Sequence, residues 1–301
     1  METEKSMDDY FKFLKNPNSV LAFKSGLKKK CDVKIKNFDG KLTISSINLL
    51  NRFMAILPIV KKDKYADFIK YFQNLEDNDE FVIIDNIKFY NINNTHFKKE
   101  HMYDYHDGNV VLEEYFYAGD WDLIDFQNRF VIDIGANVAD RTLYFVRHGA
   151  REVIGFEPVK HIYELGLDNI SANPNLKKNI TLINKAVGSK KGKIIIDNLN
   201  SAKDFATQSE SYEIEVITIS DVLNDYNFTP DVLKMDCEGC EFEIILNEDL
   251  SMFNDIIFEH HASMTGKDYN LLIDKLKKEN FKIKKLLYDE FEAVGIIHAY
   301  K

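Results

Sequence analysis

Acidic side chains follow several apolar segments of this sequence, at points where the strands of a parallel sheet would end. Asp133, Glu157, Asp236 and Glu259 each close or directly follow such a segment. In open α/β sheets, ligands bind beyond the carboxyl ends of the strands. These four acids are therefore candidates for binding a ligand or for moving a proton.

The turn DIGANVAD, which begins at Asp133, lies between a predicted strand and a predicted helix. Gly135 and Ala136 leave room for a ligand near the backbone, and the first N–H groups of the helix attract a carboxylate or phosphate. Glu157, about twenty residues later, can accept hydrogen bonds from ribose hydroxyl groups. The turn therefore favours a ribose-bearing ligand, and a purely structural turn is the alternative.

The glycine content of this turn separates two classes of nucleotide ligand. The NAD motif has three glycines, whereas this turn has only Gly135. An acid before the turn, Asp133, is unfavourable beside phosphates but suits an ammonium group. S-adenosylmethionine carries an ammonium group, a carboxylate, a ribose diol and an adenine, so this cofactor agrees best with the turn.

Two predicted strands are followed by carboxylates and imidazoles: Asp236, Glu238, Glu241, Glu259, His260 and His261. Methyl transfer to a hydroxyl group needs positioning and removal of the hydroxyl proton. Because histidine titrates near neutral pH, we expect His260 or His261 to accept this proton, while Asp236 or Glu259 orients a group in the cleft. A pair of histidines bonded to the backbone is the alternative.

The sequence leaves the metal content open. Asp236, Glu238 and Glu259 are hard ligands that suit Mg²⁺ or Ca²⁺. Cys237 and Cys240 form a C-x-x-C motif, for which we favour packing over redox chemistry or a zinc site shared with the two histidines. Three cysteines are too few for a disulfide scaffold, and we expect reduced thiols.

Lys234 interrupts the apolar strand that precedes Asp236. Residues two apart on a strand share a face, and a buried lysine needs an acidic partner. We therefore expect an ion pair with Asp236 or with an acid of a neighbouring strand. A catalytic lysine is the alternative.

The composition of the 301 residues excludes several classes of protein. A hydrophobic fraction of 45% argues against disorder, and the net charge of −10 argues against a broad nucleic-acid surface. No apolar run approaches the roughly 18 residues of a membrane span. The first residues, METEKSMDDYFKFLKN, lack the apolar core of a secretory signal, so a cytoplasmic location is expected.

The apolar spacing predicts two regions. Residues 1–115 are interpreted as an accessory or cap region, helical up to Gln73 and then with strands at 81–92 and 110–121. Residues 116–301 alternate strands and helices, which predicts an α/β domain. We expect its strands at 130–133, 153–157, 180–183, 232–236, 256–259, 281–287 and 293–299, and helices at 162–169, 242–247 and 269–278.

Four segments, in order, resemble the FkbM-type S-adenosylmethionine-dependent methyltransferases: VIDIGANVAD, FVRHGAREVIGFEP, INKAVGSKKG and VLKMDCEGCEFEIIL. They correspond to an acid-x-G-A-N turn, an F-E-P ribose motif, an A-V-G turn and a K-x-D-x-E-G-x-E element. The resemblance extends from Phe130 to Lys285. It implies a Rossmann-like class I fold, with a mostly parallel seven-stranded sheet and a reversed final strand.

The resemblance also implies which residues bind S-adenosylmethionine. Asp133, Gly135 and Asn137 would contact the methionine end, Glu157 the ribose, and Ala186 with Val187 the adenine. The full predicted set is Asp133, Gly135, Ala136, Asn137, Asp140, Glu157, Pro158, Ala186, Val187 and Asp236. Ala139 replaces a glycine that is usual in the turn.

The expected reaction is methylation of a hydroxyl group on a sugar or another small polar metabolite. A cofactor-binding interaction module without catalysis is a second hypothesis, motivated by Ala139 and the unmatched N-terminal region. Nucleic-acid methylation is a third, which the acidic balance disfavours. A small-molecule or saccharide acceptor is the expected partner, and a homo-oligomer is left open.

Overall fold

A computed structural model of the chain describes residues 7–58, 60, 62, 65–74, 76–77, 81–84, 86–90, 124–197, 211–226, 229–288 and 294–301. The chain divides into two compact units, Met1–Trp121 and Asp122–Lys301. The predicted boundary after residue 115 and the predicted strand at 110–121 lie outside the described residues. Within the described ranges, no helix has the length and apolar character needed to cross a membrane.

The first unit combines helices with two small antiparallel sheets. Its described elements are α1 (Met7–Phe13), α2 (Pro17–Lys24), β1 (Cys31–Lys34), β2 (Lys41–Ile44), α3 (Ile47–Ile56), α4 (Tyr65–Asn74), β3 (Glu76–Asp77), β4 (Phe81–Ile84) and β5 (Ile87–Tyr90). Strand β1 pairs with β2, and β3, β4 and β5 form the other sheet. In α3, Leu50, Phe53 and Met54 are fully buried, as the helical spacing predicts.

Two predictions for this unit are wrong in detail. The region up to Gln73 is not all helical, because Cys31 and Val33 alternate with polar residues and lie on a buried face of the β1–β2 pair. The single strand predicted at 81–92 is a hairpin, in which Asn86 turns the chain with a φ of 61°. Asparagine tolerates this left-handed conformation better than most residues do.

The second unit contains the predicted seven-stranded sheet. Its strands are β6 (Phe130–Ile134), β7 (Glu152–Phe156), β8 (Ile180–Ile183), β9 (Ala186–Val187), β10 (Gly192–Asp197), β11 (Ser211–Ile217), β12 (Val232–Met235), β13 (Asp255–His261), β14 (Lys282–Tyr288) and β15 (Val294–Tyr300). The sheet order is β14-β15-β13-β12-β6-β7-β8. Only β15 runs antiparallel to its neighbours among these seven, which confirms the reversed final strand.

Helices follow most of these strands, and their apolar faces build the core. They are α5 (Asp140–Arg147), α6 (Lys160–Ser171), α7 (Pro174–Lys177), α8 (Ile219–Tyr226), α9 (Cys240–Asn247), α10 (Ala262–Thr265) and α11 (Asn270–Lys278). Val222, Phe242 and Leu276 of three helices are fully buried in one cluster with Ile132 and Met235 of the sheet. Central strands buried on both faces are typical of parallel sheets.

A second sheet, with the order β10-β11-β9, was not predicted from the sequence. Its strands β10 and β11 form an antiparallel ribbon on which Ile195 is largely exposed. Strand β9 pairs with β11 in parallel, which fixes Ala186 and Val187 directly after the last strand of the main sheet. The sheet therefore positions the A-V-G turn.

Candidate active site

The registers of the central strands place four predicted site residues in one row. Glu157, Gly135, Asp236 and Glu259 each directly follow the last paired residue of β7, β6, β12 and β13 in the parallel pairings. These four strands are adjacent in the sheet and run in the same direction. The row therefore lies along the edge where open α/β sheets bind ligands.

The glycine turn is held closely against the neighbouring strand. Gly135 has a φ of 76°, and a Cβ atom at this position would lie 1.7 Å from the backbone oxygen of Asp236. The N–H groups of Gly135 and Ala136 both donate to the oxygen of Phe156. Only glycine fits this conformation and this approach, so the turn cannot accept a side chain at residue 135.

Glu157 joins the turn to the end of β7. Its Oε2 accepts from the N–H of Asn137 at 3.0 Å, and its Oε1 accepts from the N–H of Val159 at 2.8 Å. Burial, only partly offset by these two hydrogen bonds, raises the pKa of Glu157 to about 7. Asn184, which the sequence analysis missed, donates to the backbone oxygens of both Glu157 and Pro158.

Asp133 lies in a buried ion pair with Lys234. Its carboxylate is fully buried, 3.0 Å from Lys234 Nζ and 2.6 Å from the donating hydroxyl of Thr142. Lys234 Nζ also donates to the oxygen of Gly135 at 2.7 Å. The predicted pairing of Lys234 with an acid of a neighbouring strand is thus confirmed, and direct contact of Asp133 with the methionine end stays a prediction.

The charges around Lys234 keep it protonated. Burial alone lowers a lysine pKa, but the negative charges of Asp133 and Asp236 outweigh burial and raise the pKa of Lys234. Asp140, in the first turn of α5, is 8% exposed and lies 3.8 Å from Arg141 Nε. Burial raises the pKa of Asp140. These buried charges therefore support the glycine turn from the interior of the unit. Contact of Asp140 with the cofactor stays a prediction.

Three positions near the turn differ in access. Ala139 adopts a left-handed φ of 62° at the start of α5, so alanine takes the conformation in which glycine is usual. Ala136 is buried, whereas Asn137 is partly exposed with a φ of 51°. Ala186 and Val187 are buried apolar residues, and their contact with adenine stays a prediction.

Carboxylates that open to solvent occupy the other end of the row. Asp236 and Glu259 are partly exposed, and Glu238 is exposed. Burial and the negative charge of Asp236 raise the pKa of Glu259 to about 7. These acids, unlike Asp133, are accessible to a substrate.

Both histidines that the sequence predicts as proton acceptors are buried, and that role stays a prediction. His260 is fully buried and stacks on Tyr269, with ring centroids 4.4 Å apart. His261 is 6% exposed. Burial lowers its pKa, but Glu241 and Glu238 outweigh burial and raise the pKa of His261 to about 9. A general base must reach the substrate in its unprotonated form.

The C-x-x-C motif forms a disulfide between Cys237 and Cys240, so the expected reduced state is wrong for these two residues. The bond also removes the thiolates on which the zinc alternative depended. Cys31 is buried and has no disulfide. In the sequence, the three-residue separation of the two cysteines was the available signal for this bond.

Several solved methyltransferase structures are similar to this chain. TrmK of M. capricolum with S-adenosyl-homocysteine is 16% identical with a TM-score of 0.41, over 60% of this chain and 65% of that chain. Methyltransferase FkbM from Methylobacillus flagellatus KT is 12% identical with a TM-score of 0.42, over 95% and 60%. A precorrin-6y C5,15-methyltransferase from Geobacter metallireducens GS-15 is 15% identical with a TM-score of 0.38, over 61% and 87%.

The chain thus spans slightly less than two thirds of the TrmK chain, and the likeness says nothing about substrate. No curated protein matches the sequence. The model of the methyltransferase FkbM domain matches residues 133–283, which is half of the 301 residues. The chain therefore belongs to the family of methyltransferases with an FkbM domain.

Proposed function

We propose that the chain transfers the methyl group of S-adenosylmethionine to a hydroxyl group on a sugar or another small polar metabolite. The observation that carries this proposal is the row of Glu157, Gly135, Asp236 and Glu259 along one edge of four adjacent parallel strands. The row combines a turn suited to the cofactor with two accessible carboxylates suited to a hydroxyl acceptor.

The residues on the β6 and β7 side fit the cofactor. Glu157 accepts one backbone hydrogen bond on each oxygen, which leaves further lone pairs for the ribose hydroxyl groups. Gly135 and Asn137 are partly exposed and allow the methionine end to approach the backbone. Ala186 and Val187 supply apolar side chains for the adenine.

The residues on the β12 and β13 side would act on the acceptor. S-adenosylmethionine supplies an electrophilic methyl group, so that a C–O bond forms while the C–S bond breaks and S-adenosylhomocysteine is released. Asp236 orients the acceptor hydroxyl group, and Glu259 accepts its proton. We choose Glu259 over the histidines because it is accessible at the end of the row, whereas both imidazoles are buried.

The cofactor part of the proposal is tested by calorimetric titration with S-adenosylmethionine. We expect saturable binding that weakens at least tenfold in Glu157→Ala, because the ribose loses its acceptor. Glu164→Ala, a partly exposed glutamate on α6, is the matched control and should bind as the wild type does. NAD should not bind. Absence of binding to folded wild-type protein would contradict the proposal.

The acceptor part is tested by measuring S-adenosylhomocysteine with a panel of sugars, small hydroxylated metabolites and RNA. Glu259→Gln should lower turnover by about 100-fold or more with the productive acceptor, since general base catalysis contributes about that much. Cofactor binding without turnover would favour the interaction module, and turnover on RNA alone would favour nucleic-acid methylation. The cytoplasmic location stays a prediction, to be tested by cell fractionation.

A further inference from the structure

Asp236, Glu238 and His261 converge beside the proposed acceptor position. One ligand atom from each of these residues lies within 4.8 Å of the others. Ligands bound about 2.0–2.5 Å from a cation are at most about 4–5 Å apart. The spacing of the three side chains therefore matches a single divalent cation.

The backbone that carries Glu238 is fixed on both sides. The disulfide joins Cys237 to Cys240, and Glu241 accepts hydrogen bonds from the N–H groups of Cys237 and Gly239 at 2.8 and 2.9 Å. The side chain of Glu238 nevertheless remains 69% exposed. A carboxylate is thus held at the surface by a rigid turn.

His261 has the environment of a metal-binding imidazole. Its side chain is 7% exposed, and its Nε2 lies 3.3 Å from Glu238 Oε2. Its Nδ1 lies 3.5 Å from a carboxylate oxygen of Glu241, which is fully buried. Histidines that bind metals usually direct their second nitrogen to such a carboxylate, which orients the ring. This buried pair is an observation independent of the acids at the surface.

We propose that Asp236, Glu238 and His261 bind one divalent cation, and that Glu241 orients His261. Two ionised carboxylates balance the charge of the cation, and His261 binds the cation in place of a proton. Carboxylates suit Mg²⁺ and Mn²⁺, whereas imidazole suits first-row transition metals, so the mixed set favours Mn²⁺ over Mg²⁺ or Ca²⁺. His261 thus takes the place of Glu259 in the carboxylate set that the sequence left open as a metal site.

Three protein ligands leave coordination positions that oxygen atoms of an acceptor can fill. The cation would then hold the hydroxyl group of a sugar with vicinal oxygens beside Glu259. This role rests on the proposed function, whereas binding of the cation does not. The cation site therefore narrows the substrate class to acceptors that bind a divalent cation through two neighbouring oxygen atoms.

The test is a titration of the full chain, freed of metal with EDTA, with Mn²⁺ alone. Electron paramagnetic resonance of free Mn²⁺ gives the affinity, and we expect one saturable site per chain. Glu238→Gln should weaken binding at least tenfold, and it should fold because its side chain is exposed. Glu243→Gln, an exposed acid of α9, is the control and should bind as the wild type does.

Pulsed resonance of the bound Mn²⁺ gives a second readout. Coupling to an imidazole nitrogen should be present in the wild type and absent in His261→Asn. Wild-type protein without saturable binding, Glu238→Gln with unchanged affinity, or bound Mn²⁺ without nitrogen coupling would each overturn the site. Titration of the same samples with S-adenosylmethionine separates this failure from failure of the proposed function.

Discussion

Two groups of charged residues lie at the same edge of the sheet and differ in their surroundings. The buried charge cluster consists of four buried residues, Asp133, Asp140, Arg141 and Lys234. The accessible acids are Asp236, Glu238 and Glu259, which are partly or fully exposed. Asp133 lies near the end of β6 and Asp236 directly follows the neighbouring β12, yet the two acids belong to different groups.

The difference follows from where each side chain finds a partner. Asp133 lies directly opposite Lys234 in the pairing of β6 with β12, so an ion pair and a hydroxyl group satisfy its carboxylate. Asp236 follows the last paired residue of β12, where the chain leaves the sheet. A strand-end acid with a buried cation supports the fold, and one without it remains available for chemistry.

The largest expected effect comes from breaking the buried charge cluster. Lys234→Met should lower the free energy of unfolding by about 3–5 kcal/mol, because it leaves the charge of Asp133 buried without compensation. Glu259→Gln, from the accessible acids, should change it by less than about 1 kcal/mol. Urea denaturation of both proteins measures the comparison.

The double variant Lys234→Met with Asp133→Leu is the control. It distinguishes the effect of an uncompensated charge from the effect of lost side-chain packing. An apolar pair of similar volume is often as stable as a buried ion pair, so most of the loss should be recovered. A double variant as unstable as Lys234→Met alone would mean that the lysine stem, not the uncompensated charge, causes the loss.

Glu157 sharpens the comparison because it is buried like Asp133 but bonded to backbone N–H groups. Its folded-state pKa of about 7 exceeds the usual 4.5, so the folded chain binds this proton more tightly than the unfolded chain. Its contribution to stability is therefore complete below pH 4.5 and is lost as the pH rises through 7.

The corresponding slope is at most about 1.4 kcal/mol per pH unit for one proton. Unfolding free energies measured by urea denaturation from pH 5 to 8 should show a smaller fall in Glu157→Ala than in the wild type. Parallel curves for the two proteins would show that Glu157 is not the group that titrates.

The smallest effect concerns the turn that both groups share. Ala139→Gly should raise the free energy of unfolding by about 0.5–1 kcal/mol, because alanine at a φ of 62° is strained. Ala136→Gly, at an ordinary φ three residues earlier, should lower it. Calorimetric melting of the two variants measures the sign of both changes in stability. Lower stability in both variants would refute strain at Ala139.

The sequence predicted the sheet because its strands are apolar runs that end at acids, and strand composition does not depend on distant contacts. The row containing Gly135 and Glu157 followed from this pattern. Burial of individual acids could not be predicted, since it depends on which residue lies across the sheet. For this reason the sequence left two kinds of partner for Lys234, Asp236 or an acid of a neighbouring strand.

The histidines and the small sheet show the same limit. His260 and His261 have a sequence context suited to a base, but the positions of Tyr269 and Glu241 decide their environment. Strand β9 is only two residues long, too short for any periodic pattern. Such features depend on tertiary contacts, which override local propensity.

The most direct test of the division between the buried charge cluster and the accessible acids compares Asp133→Asn with Asp236→Asn. Two quantities are measured for each variant: the free energy of unfolding, and methyl transfer to the acceptor found in the panel. Asp133→Asn should lose about 3–5 kcal/mol, because Lys234 is left without its partner. Asp236→Asn should lose less than about 1 kcal/mol but lower turnover by about 100-fold, because the acceptor is no longer oriented. Equal destabilisation of the two variants, or wild-type turnover by Asp236→Asn, would contradict the account.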